Sequence, residues 1–308
     1  MKRCSLIGLF VLASMAPAQD MPLSQVLIPG EGWKAVDVKI DGHPLSVFAV
    51  TTDRKGDLLV SGRLGVLRLT KDGFEKVAKL GPGFVPQICS SPDGSLYAIE
   101  VDNKSVNPSL YRLAPATEAK KIVNGAIHVA FSPKGDIYYT AEDPTIGIQF
   151  VYPRGTIPTS LYRVGRANPL IQNIGSAARL GFWRDGGTLV VGDPSGDKLT
   201  VYRVGKEGTL DAKEGYYTLR TRGRETSNVS ALTLDTDGRL FAATTLGVQV
   251  FDPTGRMCGV IPPPPKRLSV WGLAFAGPGR DQLYIVCDGK LFVRKTKVKG
   301  FVTAAKKP

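Results

Sequence analysis

The sequence predicts an all-β fold, a six-bladed β-propeller closed by an N-terminal strand that joins the last blade. Three observations predict it. A unit of two apolar, alternating runs around a glycine-bearing turn occurs six times, a short closing strand follows each unit, and no stretch after residue 18 keeps a helical period over three turns.

The six units in order are SVFAVTTDRKGDLLVSG (46–62), PQICSSPDGSLYAIE (86–100), IHVAFSPKGDIYYTA (127–141), ARLGFWRDGGTLVVGD (178–193), SALTLDTDGRLFAAT (230–244) and WGLAFAGPGRDQLYIVC (271–287). Their closing strands are GVLRLT, SLYRLAP, SLYRVGR, KLTVYRVG, GVQVFDPTG and KLFVRKTK. The turn glycines Gly56, Gly94, Gly135, Gly187, Gly238 and Gly279 stand 38, 41, 52, 51 and 41 residues apart, a spacing of propeller blades. A tight loop between strands needs a residue tolerant of positive φ, which Asp-Gly, Lys-Gly and Gly-Gly supply. One unit cannot cover its own apolar faces, so six must stack around an axis and close. WKAVDVKIDG (33–42) precedes the first complete unit and supplies a strand to finish the last blade. The inserts 142–160 and 205–228 lengthen the third and fourth units, as loops on one face or longer outer strands. IPPPPKRLS (261–269) reads as a stiff connector between the fifth and sixth.

The chain has 308 residues, 43% of them hydrophobic, enough for one large β domain. Residues 1–18 read as a secretory signal peptide cleaved after Ala18: Met-Lys-Arg, an apolar run from Cys4 to Ser14, then Ala16-Pro17-Ala18. Export to a periplasm or the exterior follows, with the propeller at 19–299 and a basic C-terminal tail at 300–308. The run KTKVKGFVTAAKKP that ends in this tail reads as solvated. No later segment approaches ~18 consecutive apolar residues, so no transmembrane segment is expected. The formal charge is +13, and +11 without Lys2 and Arg3. Its dispersal along the chain argues against nucleic acid and suits an anionic partner. Cys89, Cys258 and Cys287 remain after cleavage; they are buried small hydrophobes, or Cys258 pairs with Cys287. Two histidines and no CxxC argue against a zinc site.

The stretch SALTLDTDGRLFAATTLGVQVFDPTGRMCGVIPPPP, followed by WGLAFAGPGRDQLYIVCDGKLFVRK, resembles the last two blades of the gluconolactonase, senescence-marker-protein and luciferin-regenerating-enzyme family. The resemblance is strongest over 227–299 and continues back to 46. It implies a six-bladed propeller, a hydrolase of lactones or carboxylic esters, which the N-terminal segment would make an exported one, and a divalent ion such as calcium held at the axis by a Glu, two Asn and an Asp. Those positions fall at Val47, Ile127, Arg179 (or Ala178, with the turn aligned one residue differently) and Ser230, and none holds a ligand of the expected type. Glu31 lies too far upstream of Gly56 to replace the Glu. No metal or other cofactor is therefore expected, although the family would imply one.

The same positions suggest another pocket. Arg179, His128 and Ser230 begin successive inner strands, with Trp271 and Phe48 or Val47 on others, and a guanidinium fork beside a hydroxyl and an imidazole suits a carboxylate, sulfate or phosphate. Trp271 suits stacking on a sugar or aromatic ring. The plainer alternative has Arg179 in solvent or paired with an acid and His128 as a satisfied structural residue. Glu100, Asp102 and Asn103, Glu142 and Asp143, and Asp193 follow second strands, where solvated loop acids are the ordinary reading. GxSxG is absent. Asp235-Thr236-Asp237-Gly238 opens like a calcium loop, but Arg239 and Leu246 stand where further acids would be needed, so it reads as a hairpin turn. Two functions stay open: the hydrolase, or a non-catalytic exported propeller binding an anionic or carbohydrate small molecule in its central channel, or a protein partner. The oligomeric state is not set by the sequence.

Overall fold

The computed structural model describes residues 22–63, 65–78, 80–81, 83–102, 107–113, 119–142, 158–223, 226–265 and 269–302. The expected signal peptide with its expected cleavage site, Asn103, Asp143 and residues 303–308 lie outside them.

Six antiparallel sheets stand in a ring. Blade one is Ala49–Thr52, Leu58–Gly62, Gly65–Thr70 and Gly73–Ala78; blade two is Phe84–Ser90, Leu96–Val101, Pro108–Leu113 and Lys120–Asn124. Blade three has three strands among the described residues: Ala126–Phe131, Ile137–Glu142 and Thr159–Arg163. Blade four is Arg179–Phe182, Thr188–Gly192, Lys198–Val204 and Leu210–Thr218, its last strand drawn from the second insert. Blade five is Ala231–Leu234, Leu240–Thr244, Gly247–Phe251 and Met257–Ile261. Blade six is Val270–Ala276, Gln282–Cys287 and Lys290–Lys295, with Lys34–Val36 as its fourth strand. That N-terminal strand pairs Lys34 with Val293, Ala35 with Phe292 and Val36 with Leu291. Lys39–Ile40 and His43–Pro44 form a separate small hairpin.

The first strand of every blade contacts the first strands of both neighbours, so these six form the inner wall. Apolar clusters fill the spaces between blades. One packs Val47, Val50 and Leu58 of the first repeat against Ala274, Tyr284 and Val286 of the last. Another packs Phe241 and Val250 against Phe275 and Ile285, with the two phenyl rings edge to face at 5.0 Å. Fully burying one such side chain contributes ~1.5–3 kcal/mol, so the ring is held by the sum of many inter-blade contacts.

In five blades the turn after the inner strand is set by a glycine at positive φ: Gly56, Gly94, Gly135, Gly186 and Gly238. Two expected turn residues are corrected. In blade four the glycine at positive φ is Gly186, not Gly187, because its N–H closes back on the Trp183 carbonyl at 2.9 Å. In blade six Arg280 takes the position at φ 52, where Gly279 was expected. The Asp235 turn is a hairpin: Asp235 accepts the N–H groups of Asp237 and Arg239, and both acids pair with the Arg239 guanidinium at 2.8 Å.

Of the two readings open for the cysteines, the structure has the unpaired one: Cys89, Cys258 and Cys287 are free, and Cys287 is packed in the blade-five and blade-six core. One further expectation is revised. The basic run after 294 is not all solvated: Val298 is buried, Leu27 bridges to Thr296, and the Gly300 and Phe301 N–H groups donate to Arg280 and Leu234. No helix among the described residues is long and apolar enough to cross a membrane.

A Cβ at Gly135 meets nothing, whereas one at Gly186 collides with the ring of Pro133 on the preceding blade. Gly135→Ala is expected to cost only the backbone strain of a left-handed residue, about 1 kcal/mol. Gly186→Ala carries that strain plus the clash, so thermal denaturation should order the midpoints wild type, Gly135→Ala, Gly186→Ala from highest to lowest.

Candidate functional site

An inner strand has no sheet partner on its axial edge, and each unpaired backbone group there needs another partner. Much of it comes from side chains of neighbouring blades. Ser61 of blade one donates to the Val85 carbonyl at 2.7 Å. Gln87 of blade two brackets Val129 of blade three, donating to its carbonyl and accepting its N–H, both at 2.9 Å. His128 Nδ1 of blade three accepts the Leu180 N–H of blade four at 3.2 Å. Arg179 Nε donates to the Ser230 carbonyl of blade five at 3.0 Å, and Ser230 Oγ donates to the Val270 carbonyl of blade six.

These strands enclose a central cavity of about 300 Å³. Its lining includes Ile127, His128, Arg179, Ser230 and Trp271, so all four residues proposed to bind a ligand meet there. Val47 does not. It is 1% exposed in the core between blades six and one. Hydrogen bonding gives the reason: Phe48 donates to Ser61 as Ser230 does to Ala243, so Phe48 and not Val47 is the counterpart of Ser230. The shifted turn in blade four likewise makes Ala178, which is fully buried, the counterpart of Ser230, with Arg179 one step further along.

The four residues differ in what remains available. Ser230 and His128 are committed to the scaffold. Burial, with the charge of Arg179 second, holds the His128 imidazole well below its usual pKa of 6.5, so it is neutral. With Nδ1 accepting from Leu180, its proton sits on Nε2, making that nitrogen a donor. Arg179 is different. Nε and Nη1 are held by the carbonyls of Ser230 and Ala177, while Nη2 has no protein partner among the described residues and is not occluded. Desolvation lowers its pKa to about 10, and no carboxylate among the described residues compensates the charge. Trp271 is 46% exposed, its indole N–H donating to Ser269 at 2.9 Å. Phe48 and Phe84 meet edge to face at 5.7 Å at the same, strand-starting end.

Among the described residues that line the cavity, Arg179 carries the one formal charge, and none is Asp, Glu or Asn. No group of three His, Cys, Asp or Glu among the described residues stands close enough to hold a metal ion. Glu100 and Asp193 are away from the cavity: Glu100 is buried beside Gly81 and Gly83, and burial raises its pKa against the lowering effect of the Gly83 and Gly81 N–H groups, while Asp193 closes a turn with Ser195. Sequence reasoning missed Gln87, whose amide imitates a strand, and Phe301 and Val302, which also line the cavity.

Comparison with known proteins gives concordant results. Residues 149–288 match the family model described as SMP-30/Gluconolactonase/LRE-like region. No curated protein matches the sequence. Among solved structures, a gluconolactonase from Xanthomonas campestris is 18% identical with a TM-score of 0.66, over 89% of this chain and 92% of that one. A luciferin-regenerating enzyme is 17% identical with a TM-score of 0.62, over 90% and 100%. Regucalcin from Agrobacterium tumefaciens, described as a calcium-binding protein, is 16% identical with a TM-score of 0.62, over 89% and 98%. At such identities the shared property is the six-bladed fold.

The state of His128 has a measurable consequence. The unfolded chain takes up a proton on it near pH 6.5 and the folded chain does not, so stability is lost as pH falls below ~6.5, at up to about 1.4 kcal/mol per pH unit. His128→Asn keeps an acceptor for the Leu180 N–H without titrating. Between pH 7.5 and 5 the variant should lose less stability than the wild type in denaturant titrations, and equal losses would show that His128 is not buried neutral.

Proposed function

Because the chain carries an SMP-30/Gluconolactonase/LRE-like region on a six-bladed propeller, we propose that it binds a small, polar anion of the sugar-acid kind in its central channel. The observation that carries this reading is Arg179: a deeply desolvated guanidinium with Nη2 open to the cavity and no acid beside it among the described residues. Burying a cation without a counter-charge is costly, and a carboxylate entering the channel supplies the missing partner through charge-assisted hydrogen bonds. The wall suits hydroxyls, since inner-strand backbone edges offer donors and acceptors in alternation, and the exposed face of Trp271 suits a sugar ring.

Lactone hydrolysis is the second reading, favoured by the family match and by the name of the Xanthomonas relative. Arg179 Nη2 could stabilise an oxyanion, but the cavity offers little to activate water. His128 presents a donor, and no carboxylate lines the wall among the described residues. The lining also does not fit a calcium ion, which takes six to eight oxygen ligands including carboxylates, and which a guanidinium at close range repels. These points support binding over catalysis.

The N-terminal apolar run supports export, so the ligand would be met outside the cytoplasm. Mass spectrometry of the protein purified from its natural compartment should find Gln19 at the N-terminus; an intact Met1 would count against export by cleavage.

Calorimetric titration with gluconate and galacturonate, against neutral glucose and galactose, tests the binding. At least one acid should bind while its neutral counterpart does not, and Arg179→Ala should weaken it about 10- to 100-fold, as expected for a hydrogen bond to a charged group. Unchanged affinity in the variant, or no binding of either acid, would sink the reading. Turnover of glucono-δ-lactone above the spontaneous rate, with or without calcium, would instead favour the hydrolase.

A further inference from the structure

We infer that the C-terminal segment Val298–Val302 is the floor of the central channel, making it a pocket with one mouth whose depth Phe301 sets. The six inner strands run from a mouth at Ile127, Arg179, Ser230 and Trp271 towards the hairpin turns, where the lining ends at Thr52, Pro92, Phe131 and Phe275. Phe301 and Val302 are the two lining residues that come from neither an inner strand nor its flanks.

Their position follows from a set of backbone bonds at the turn end. Thr236 N–H, in the blade-five turn, donates to the Lys299 carbonyl at 2.8 Å. Gly300 N–H donates to Arg280 in the blade-six turn at 2.8 Å, and Phe301 N–H donates to Leu234, the last residue of the blade-five inner strand, at 2.9 Å. Gly300 lies so close to Phe275 that a Cβ there would collide with the phenylalanine side chain. Phe301 then packs with Leu234, Leu232 and Trp183 in the apolar cluster between blades four and five. From Ser230 to Leu234 the wall is four residues long, roughly 13 Å at ~3.3 Å per residue. A ligand held by Arg179 at the mouth and extending inwards meets the floor within that length.

The occupant of the pocket rests on the anion-binding reading, but the floor itself does not, so the first test needs no ligand. Cys89 lines the cavity in the turn-proximal half of the blade-two strand, and Cys258 lies on the outer strand of blade five. Alkylation by N-ethylmaleimide, followed at each cysteine by peptide mass mapping, compares the full chain, Phe301→Ala and a chain ending at Gly300. The truncated chain retains the Lys299 and Gly300 backbone bonds. Opening the floor should raise the Cys89 rate about ten-fold or more and leave Cys258 within about two-fold, as local rather than global opening requires. A Cys89 rate within about two-fold of wild type would overturn the inference, and so would a parallel rise at both cysteines, which marks general loosening. A second arm titrates galacturonate and trigalacturonate. If the acid is held through Arg179, the full chain should prefer the monomer and the truncated chain should lose that preference; an unchanged preference would overturn the length-setting role of Phe301 while leaving the Arg179 reading intact.

Discussion

The unpaired inner edge of each blade is the constraint on which the rest of the molecule depends. A ring of separate sheets leaves each blade an outer edge towards solvent and an inner, axial one, and the backbone groups of the axial edges lose water as the blades approach. The chain meets this with side chains that reach across to the neighbouring strand: Ser61, Gln87, His128, Arg179 and Ser230. The residues nearest any ligand are thus largely the residues that hold neighbouring blades in register. A side chain at the start of an inner strand serves the scaffold first and has chemistry to spare only if it has more donors than the bracket requires.

Arg179 meets that condition. A guanidinium has five N–H donors in a fixed fork, so it can bracket Ser230 and Ala177 and still present an unused nitrogen to the cavity. Ser230 spends its hydroxyl proton on Val270, and His128 keeps only a neutral Nε2–H donor, so neither offers a charge. The surrounding aromatic residues add surface rather than charge, and the local field of the channel is that of one cation in a poorly solvated space.

The fold was legible because its repeat is written in strongly patterned inner and middle strands. The outermost strands, such as Gly73–Ala78 and Lys120–Asn124, were missed because one face is solvated and their alternation is weak. The site was legible to within one residue. An extra residue in the Trp183–Thr188 turn moved the counterpart of Ser230 from Arg179 to Ala178, and counting from a glycine cannot detect where a turn carries its extra residue. Val47 failed for a different reason: the blade-one turn carries no extra residue and the offset that leads from Gly238 to Ser230 leads from Gly56 to Phe48, which the bond from the Phe48 N–H to Ser61 confirms. The packing of the run after Lys295 was hidden because lysines dominate its composition, while Val298, Gly300 and Phe301 determine where it lies.

The pairing of Ala35 with Phe292 sets an order of assembly. Blades one to five are each made from contiguous chain, whereas the sixth needs strands from opposite ends of the sequence. Bringing those ends together requires closing a very long loop, whose entropic cost is recovered only when the neighbouring blades are already in place. While it folds, the chain therefore passes through a partly built arc with strand edges exposed at both ends, the species most prone to associate with another copy. The short N-terminal strand finds its partner only once Lys290–Lys295 is in place, so the edge of the last blade stays open until the two ends of the chain meet.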